Sequence, residues 1–187
     1  PVLRAKAWAM AAALGFLAGG PAAAEIEYRH LYQQGDWYVD INYDTDSGEL
    51  WCDAGTVTEA GAAFVLIAYD TGELGFIVQT PEWRLARREI AFHLDVDDAR
   101  WTLRGLGDAQ TLIVAMRDPK IAATFLAELG AGQSMILSTV EDRELLRFSL
   151  AGSGAAIDTF FACWERIDLR DPFGADTGPA GPTGDPF

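Results

Sequence analysis

The sequence has few of the residues that build metal and redox sites. It contains two cysteines and two histidines, which are too few and too scattered for a zinc motif. Cys52 and Cys163 lie far apart, so there is no Cys-x-x-Cys pair for thiol redox work. The chain also lacks the Gly-x-Ser-x-Gly segment that carries the nucleophile of many hydrolases. These absences argue against zinc, thiol-redox and nucleophile-elbow chemistry, and we expect no cofactor.

Positive charge is scarce as well. The chain has 14 Lys and Arg residues against 28 Asp and Glu residues, which gives a formal net charge of −14. Such a surface repels nucleic acid and anionic lipid, because both are bound through neutralisation of their phosphates by Lys and Arg. We therefore expect no nucleic-acid partner, and instead expect another envelope protein or a small ligand.

The apolar run at residues 7–18 is too short for a membrane span, since a bilayer core requires about 20 residues. Arg4 and Lys6 precede it, Pro21 follows it, and small residues lead up to Ala24. This order is typical of a secretory signal peptide at residues 1–24. It predicts a periplasmic or secreted protein with no membrane span after signal cleavage.

The remaining chain suits one β-rich domain at residues 25–168. Apolar and polar residues alternate around Val39 and again around Phe92, as in half-buried strands. The pattern predicts eight or nine short, mostly antiparallel strands in a curled sheet, sandwich or barrel. Two late helices, at about 119–129 and 154–167, should cover a sheet face or plug one end. Residues 169–187 are rich in Gly, Pro and acids, which predicts a disordered tail.

Local signals mark the starts of the two helices. Asp118 followed by Pro119 is a typical N-cap and first helical residue. Ser153 is the expected N-cap of the second helix, which carries Cys163 near its apolar stripe. In an oxidising compartment Cys52 and Cys163 are expected to form a disulfide, and the alternative is two buried free thiols.

Two polar constellations are candidates for chemistry. Asp40, Asn42, Asp44 and Asp46 place oxygen ligands at alternate positions, as in calcium loops, but the required glycine is missing. The alternative is the wet face of a strand that runs into a turn. His93 lies among acidic neighbours and could serve a small hydrolase with a nearby carboxylate. An exposed strand histidine is the simpler interpretation.

Aromatic and basic residues provide the candidates for recognition. One locally basic aromatic patch occurs before the strand around Phe92, and the motif Asp-Pro-Phe occurs twice after residue 168. Aromatic and arginine side chains are enriched at interface hot spots, although core packing explains most of them equally well. The interaction candidates are Trp83, Arg84, Arg87, Arg88, Phe173 and Phe187.

The block from Leu145 to Ser153 (Leu-Leu-Arg-Phe-Ser-Leu-Ala-Gly-Ser), followed by Ala155-Ala156-Ile157 and Cys163, resembles the close of small secreted alphaproteobacterial proteins. It is similar to the invasion-associated locus B family, whose domains end in a Ser-Leu-x-Gly stretch before a helix. That family commonly has a further cysteine-containing segment in its middle, which this chain lacks. The resemblance implies a secreted, non-enzymatic, β-rich binding or accessory domain with an envelope or host-interaction role.

Overall fold

The computed structural model describes residues 26–167, which form ten β-strands and two α-helices. The prediction of a mainly β, antiparallel fold with two late helices is confirmed. The elements are β1 Ile26–Gln34, β2 Trp37–Asp44, β3 Leu50–Val57, β4 Ala63–Tyr69, β5 Leu74–Gln79, β6 Leu85–Val96, β7 Ala99–Ala109, β8 Thr111–Ala115, α1 Pro119–Ala131, β9 Ser134–Thr139, β10 Glu144–Ser149 and α2 Ser153–Ile167. None of the helices in this part of the chain is long and apolar enough to cross a membrane.

All ten strands belong to one curled, unclosed sheet with the order β1-β2-β3-β4-β5-β8-β7-β6-β9-β10. Every neighbouring pair is antiparallel. The first five strands form a meander, and the order then reverses because β8 pairs with β5 while β6 lies farther out against β9. Short hairpin turns make such antiparallel neighbours possible.

Alternation along the strands gives the sheet an inner apolar face and an outer face. In β2, Trp37, Val39 and Ile41 are buried, as the sequence pattern predicts. Asp40 lies between them and points to the other face, because successive side chains of a strand alternate. The inner face of the curl is therefore the core of the domain.

Aromatic contacts across the inside of the curl hold its two halves together. The centroid of the Phe64 ring on β4 lies 6.4 Å from that of Trp37, 5.2 Å from that of Phe76 and 6.2 Å from that of Phe148 on β10. The Trp37 indole also donates a hydrogen bond to the Ser149 carbonyl at 3.0 Å. These contacts bring the end of the last strand against the start of the sheet.

Helix α1 covers the core beside β5 and β7. The Asp118 carboxylate accepts hydrogen bonds from the backbone N–H groups of Lys120 and Ile121, at 2.9 and 3.2 Å, so the predicted N-cap is confirmed. The centroid of the Phe125 ring lies 5.4 Å from the ring centroid of Phe76 and 5.4 Å from that of Trp101. Helix α1 thus places an aromatic side chain between two strands of the inner face.

Helix α2 packs against β1, β2, β3 and α1, and a disulfide joins Cys163 to Cys52 on β3. The predicted pairing is therefore present. Ser153 differs from the prediction: its hydroxyl donates to the Leu129 carbonyl of α1 at 2.7 Å and does not cap its own helix. The buried contact between the two helices determines this orientation.

Two segments form strands although their sequences lack apolar alternation. Residues 26–34 have no clear periodicity, yet they form the edge strand β1. The basic aromatic patch before Phe92 shows no apolar alternation, yet β6 begins at Leu85 and contains a bulge between Leu85 and Arg88. Backbone hydrogen bonds to the neighbouring strands hold both segments in the sheet. Such pairing does not require apolar and polar residues to alternate.

Candidate functional site

A cavity of about 410 Å³ opens on the inner face of the curl, where β6 and β8 begin and β9 ends. Its floor is part of the core, because Phe92, Leu112 and Leu137 line it and are almost completely buried. We call it the core pocket. Its lining residues are Trp83, Leu85, Ile90, Ala91, Phe92, Leu112, Leu137, Thr139, Val140, Glu141, Arg143 and Leu145.

Glycine on β7 provides space beside the core pocket. Gly107 faces inward opposite Arg88, and a Cβ atom at this position would collide with the Ile90 side chain and contact Leu85. Because Gly107 has no side chain, the Ile90 and Leu85 side chains pack over its backbone. Both side chains also line the core pocket. A larger residue at position 107 would displace the Ile90 side chain, which lines the core pocket.

The predicted basic aromatic patch separates into different environments. Trp83 is half-buried and lines the core pocket. The Arg84 guanidinium donates to the Pro81 carbonyl at 2.7 Å, and Arg87 forms an ion pair with Asp108 at 2.8 Å. The other predicted interaction residues, Phe173 and Phe187, lie outside the described residues.

One exposed arginine lines the core pocket, and a second lies on a strand that contributes to its lining. Arg143 lines it from the turn between β9 and β10. Arg88 lies two residues before Ile90, so strand alternation places it on the pocket side of β6. Within residues 26–167 neither guanidinium forms an ion pair. Arg143 was not among the candidates from the sequence, because its proximity to Trp83 requires the folded sheet.

The outer face carries a second hollow of about 410 Å³ near the end of β8. Ile67, Ile77 and Ile113 line it, and Arg117 lies at one side. Gly75 forms part of its floor, where an added Cβ would collide with the backbone carbonyl of Val114. This outer hollow shares no lining residue with the core pocket.

A polar cluster also occupies the outer face, on β1, β2 and β3. Asp40 and Asp53 lie directly opposite each other on adjacent strands. His30 contacts the Asp40 carboxylate at 2.6 Å, and Asn42 donates to Asp53 at 3.1 Å. Burial, and then the negative charge of Asp40, raises the pKa of Asp53 to about 7, while the hydrogen bond from Asn42 partly opposes this shift. Asp53 can therefore hold a proton near neutral pH.

The four oxygen-bearing residues predicted as weak calcium candidates do not act as one group. Asp40 and Asn42 belong to the cluster around Asp53. Asp44 instead accepts hydrogen bonds from the backbone N–H groups of Asp46 and Ser47, at 2.8 and 3.2 Å, and these bonds lower its pKa. Across residues 26–167, no group of three or more His, Cys, Asp or Glu side chains is placed to hold a metal ion.

His93 lies on the outer face of β6. Its Nδ1 atom shares a hydrogen bond with the Thr102 hydroxyl at 3.1 Å. The nearby carboxylate of Asp95 is bound by both Nε and Nη2 of Arg100, at 2.7 and 3.0 Å. Among residues 26–167, His93 therefore has no carboxylate in hydrogen-bond contact. The histidine that does contact a carboxylate is His30 on β1, which pairs with Asp40.

Comparison of the chain with protein-family models, with curated proteins and with solved structures finds no match.

Proposed function

We propose that this protein is a non-enzymatic binding or accessory protein that acts in the periplasm or after secretion, and that the core pocket is its ligand site. The observation that carries the proposal is an open cavity lined by core side chains and by Trp83. Small-molecule sites are usually concave and lined mainly by apolar side chains. The space beside Phe92 and Leu137 has both features, and its floor is continuous with the core.

The size and lining of the core pocket fit an apolar ligand. Small-molecule sites typically span about 300–1,000 Å³ and combine apolar walls with a few polar groups. Here Leu112 and Leu137 form apolar walls, Trp83 adds a large flat surface, and the charged side chains come from the rim. Each apolar group of a ligand that enters this space leaves water, which favours binding.

An envelope or host-interaction role agrees with two further features. The Cys52–Cys163 disulfide is typical of proteins outside the cytoplasm. The segment from Leu145 to Cys163 resembles invasion-associated locus B proteins, which supports an assignment to the cell envelope. The acidic surface favours solubility and disfavours contact with anionic lipid.

Titration with the neutral fluorescent dye N-phenyl-1-naphthylamine tests the proposal. We expect saturable binding of one dye per chain, and Trp83→Ala should weaken it about tenfold or more, which corresponds to about 1.4 kcal/mol. Trp51→Ala is the matched control, because Trp51 is also half-buried but lies on the outer face, 6.3 Å from Tyr69. Thermal melts should show that both variants are folded.

Two results would contradict the proposal. Absence of saturable dye binding would remove the core pocket as a ligand site. Equal weakening by Trp83→Ala and Trp51→Ala would show that the dye does not distinguish the two faces of the sheet.

A further inference from the structure

The outer hollow lies at one end of an apolar strip on the outer face of the sheet. Four apolar residues stand directly opposite one another on the neighbouring strands β4, β5, β8 and β7, and these are Val65, Ile77, Ile113 and Leu106. Ile113 is 42 % exposed and Leu106 is 36 % exposed. Single exposed apolar side chains are ordinary, whereas a contiguous patch is typical of an interaction site. The strip is therefore a candidate contact surface.

Small residues open the hollow beside this strip. Two residues farther along the strands, Gly75 lies opposite Ile67 on one side and opposite Ala115 on the other. An added Cβ at Gly75 would collide with neighbouring backbone, and glycine inside a strand often marks a place where another group approaches closely. The open space of about 410 Å³ is bordered by the larger side chains of Ile77 and Ile113. A side chain from another segment can therefore enter between them.

The lining of the outer hollow favours an apolar occupant over an ion. Its charged lining residues are Glu73 and Arg117, which carry one charge of each sign, so their charges cancel. An ionised group placed against the isoleucine side chains would lose hydration without gaining a partner. An apolar side chain that enters the hollow instead leaves water, which stabilises the docked state. We therefore expect an aromatic or aliphatic side chain in this space.

Helix α2 brings the end of the described chain close to the rim of the outer hollow. The Trp164 indole donates a hydrogen bond to the backbone carbonyl of Tyr69 at 3.1 Å, and Tyr69 lines the hollow. Ile167, the last residue of α2, lies about one helical turn, or roughly 5 Å, beyond Trp164. Residues 168–173 follow with the sequence Asp-Leu-Arg-Asp-Pro-Phe. Six extended residues span about 20 Å, so Phe173 can reach a hollow whose wall includes Tyr69.

From this arrangement we propose that the outer hollow binds the segment of the same chain that follows α2, with the Phe173 ring seated beside Gly75 and against Ile113. The occupant is an apolar ring, as the lining requires. The outer hollow shares no lining residue with the core pocket, so this inference does not depend on the proposed function.

Two features of the segment favour Phe173 as the docked residue. Pro172 restricts the backbone on the N-terminal side of the ring, which reduces the conformational entropy lost on docking. The short connection to α2 also gives the ring a high effective concentration at the hollow. Phe187 ends the same Asp-Pro-Phe motif but lies farther along the chain, and effective concentration falls as a linker lengthens.

Trypsin cleavage of the intact protein after Arg170 tests the inference, because docking of Phe173 holds the neighbouring backbone away from the protease. Mass spectrometry follows the fragment that begins at Asp171. We expect Phe173→Ala to raise the cleavage rate about tenfold, since cleavage follows the population of the undocked segment and burial of the ring stabilises the docked one. Phe187→Ala is the matched control, because it removes the ring of the second Asp-Pro-Phe motif, and it should leave the rate unchanged.

A second pair of variants tests the hollow itself. Ile113→Ser should also raise the rate of cleavage after Arg170, because it removes an apolar wall of the hollow. Leu106→Ser is its matched control, since Leu106 is exposed and lies directly opposite Ile113 but does not line the hollow. It should leave the rate unchanged, and thermal melts should show that both strand variants are folded.

Three results would overturn the inference. An unchanged rate in Phe173→Ala, or an equal increase in Phe187→Ala, would show that the Phe173 ring is not the docked group. Equal rates in folded Ile113→Ser and Leu106→Ser would show that the segment does not occupy the outer hollow. Protection of Arg170 that grows with protein concentration would show that the segment docks on a second copy of the chain and not on its own.

Discussion

The carboxyl group of Asp53 should make the stability of the fold depend on pH. Its pKa is raised from the ordinary value of 3.8 to about 7, first by burial and then by the charge of Asp40. Below pH 3.8 the group is protonated in both the folded and the unfolded chain. Between 3.8 and about 7 only the folded chain keeps the proton, so stability falls as the pH rises through this window.

The magnitude follows from that difference in pKa. Each unit is worth about 1.4 kcal/mol, so an ionised Asp53 destabilises the folded protein by about 4 kcal/mol above neutral pH. Asn at this position carries no charge and can still accept the hydrogen bond from Asn42. We therefore expect Asp53→Asn to stabilise the protein by about 2–4 kcal/mol at pH 8 and to change little at pH 4.

Urea unfolding at a series of pH values between 4 and 8 measures this effect. Glu59→Gln is the control for net charge, because Glu59 is exposed in the turn before β4. Asp40→Asn should also flatten the pH profile, since it removes the neighbouring negative charge. A profile for Asp53→Asn that runs parallel to that of the unmodified protein would refute the reasoning.

Three further predictions concern the framework of the fold. Replacement of both Cys52 and Cys163 by Ala should lower the free energy of unfolding by about 4–5 kcal/mol, because the 111-residue separation closes a long loop, and a loss below about 1 kcal/mol in urea unfolding would contradict this. Phe125→Ala should cost about 3–5 kcal/mol, because the ring is fully buried between two aromatic side chains. Asp118→Ala should cost about 1 kcal/mol through loss of the helix cap, whereas Glu59→Ala, away from any helix, should be neutral within the error of the same assay.

Periodicity in the sequence was sufficient to predict those strands in which one face is buried and the other is not. The alternation in β2 and in the second half of β6 predicted half-buried strands, and both are present. The Asp118–Pro119 pair predicted the start of α1 for a local reason, since the cap bonds lie within three residues. Edge strand β1 gave no such signal, because most of its residues are exposed and its hydrogen bonds alone define it.

Contacts between distant residues were outside the reach of these local patterns. Ser153 has the chemistry of an N-cap, but the Leu129 carbonyl of another helix accepts its hydrogen bond. Asp40 was recognised as part of a polar strand face, whereas Asp53 was not singled out, because their opposition depends on the register between β2 and β3. The pKa of Asp53 is therefore a property of the folded sheet.

The sequence by itself determined the β-rich class, the cap of α1 and the only possible cysteine pair, because composition and short-range periodicity govern these features. The tertiary structure alone decided the curl of the sheet, the reversal of strand order after β5 and the position of the core pocket. Trp83 and Arg143 become neighbours of one cavity only when β6, β9 and β10 pair. The physical reason is that register and curvature arise from many long-range contacts at once, and no local segment encodes them.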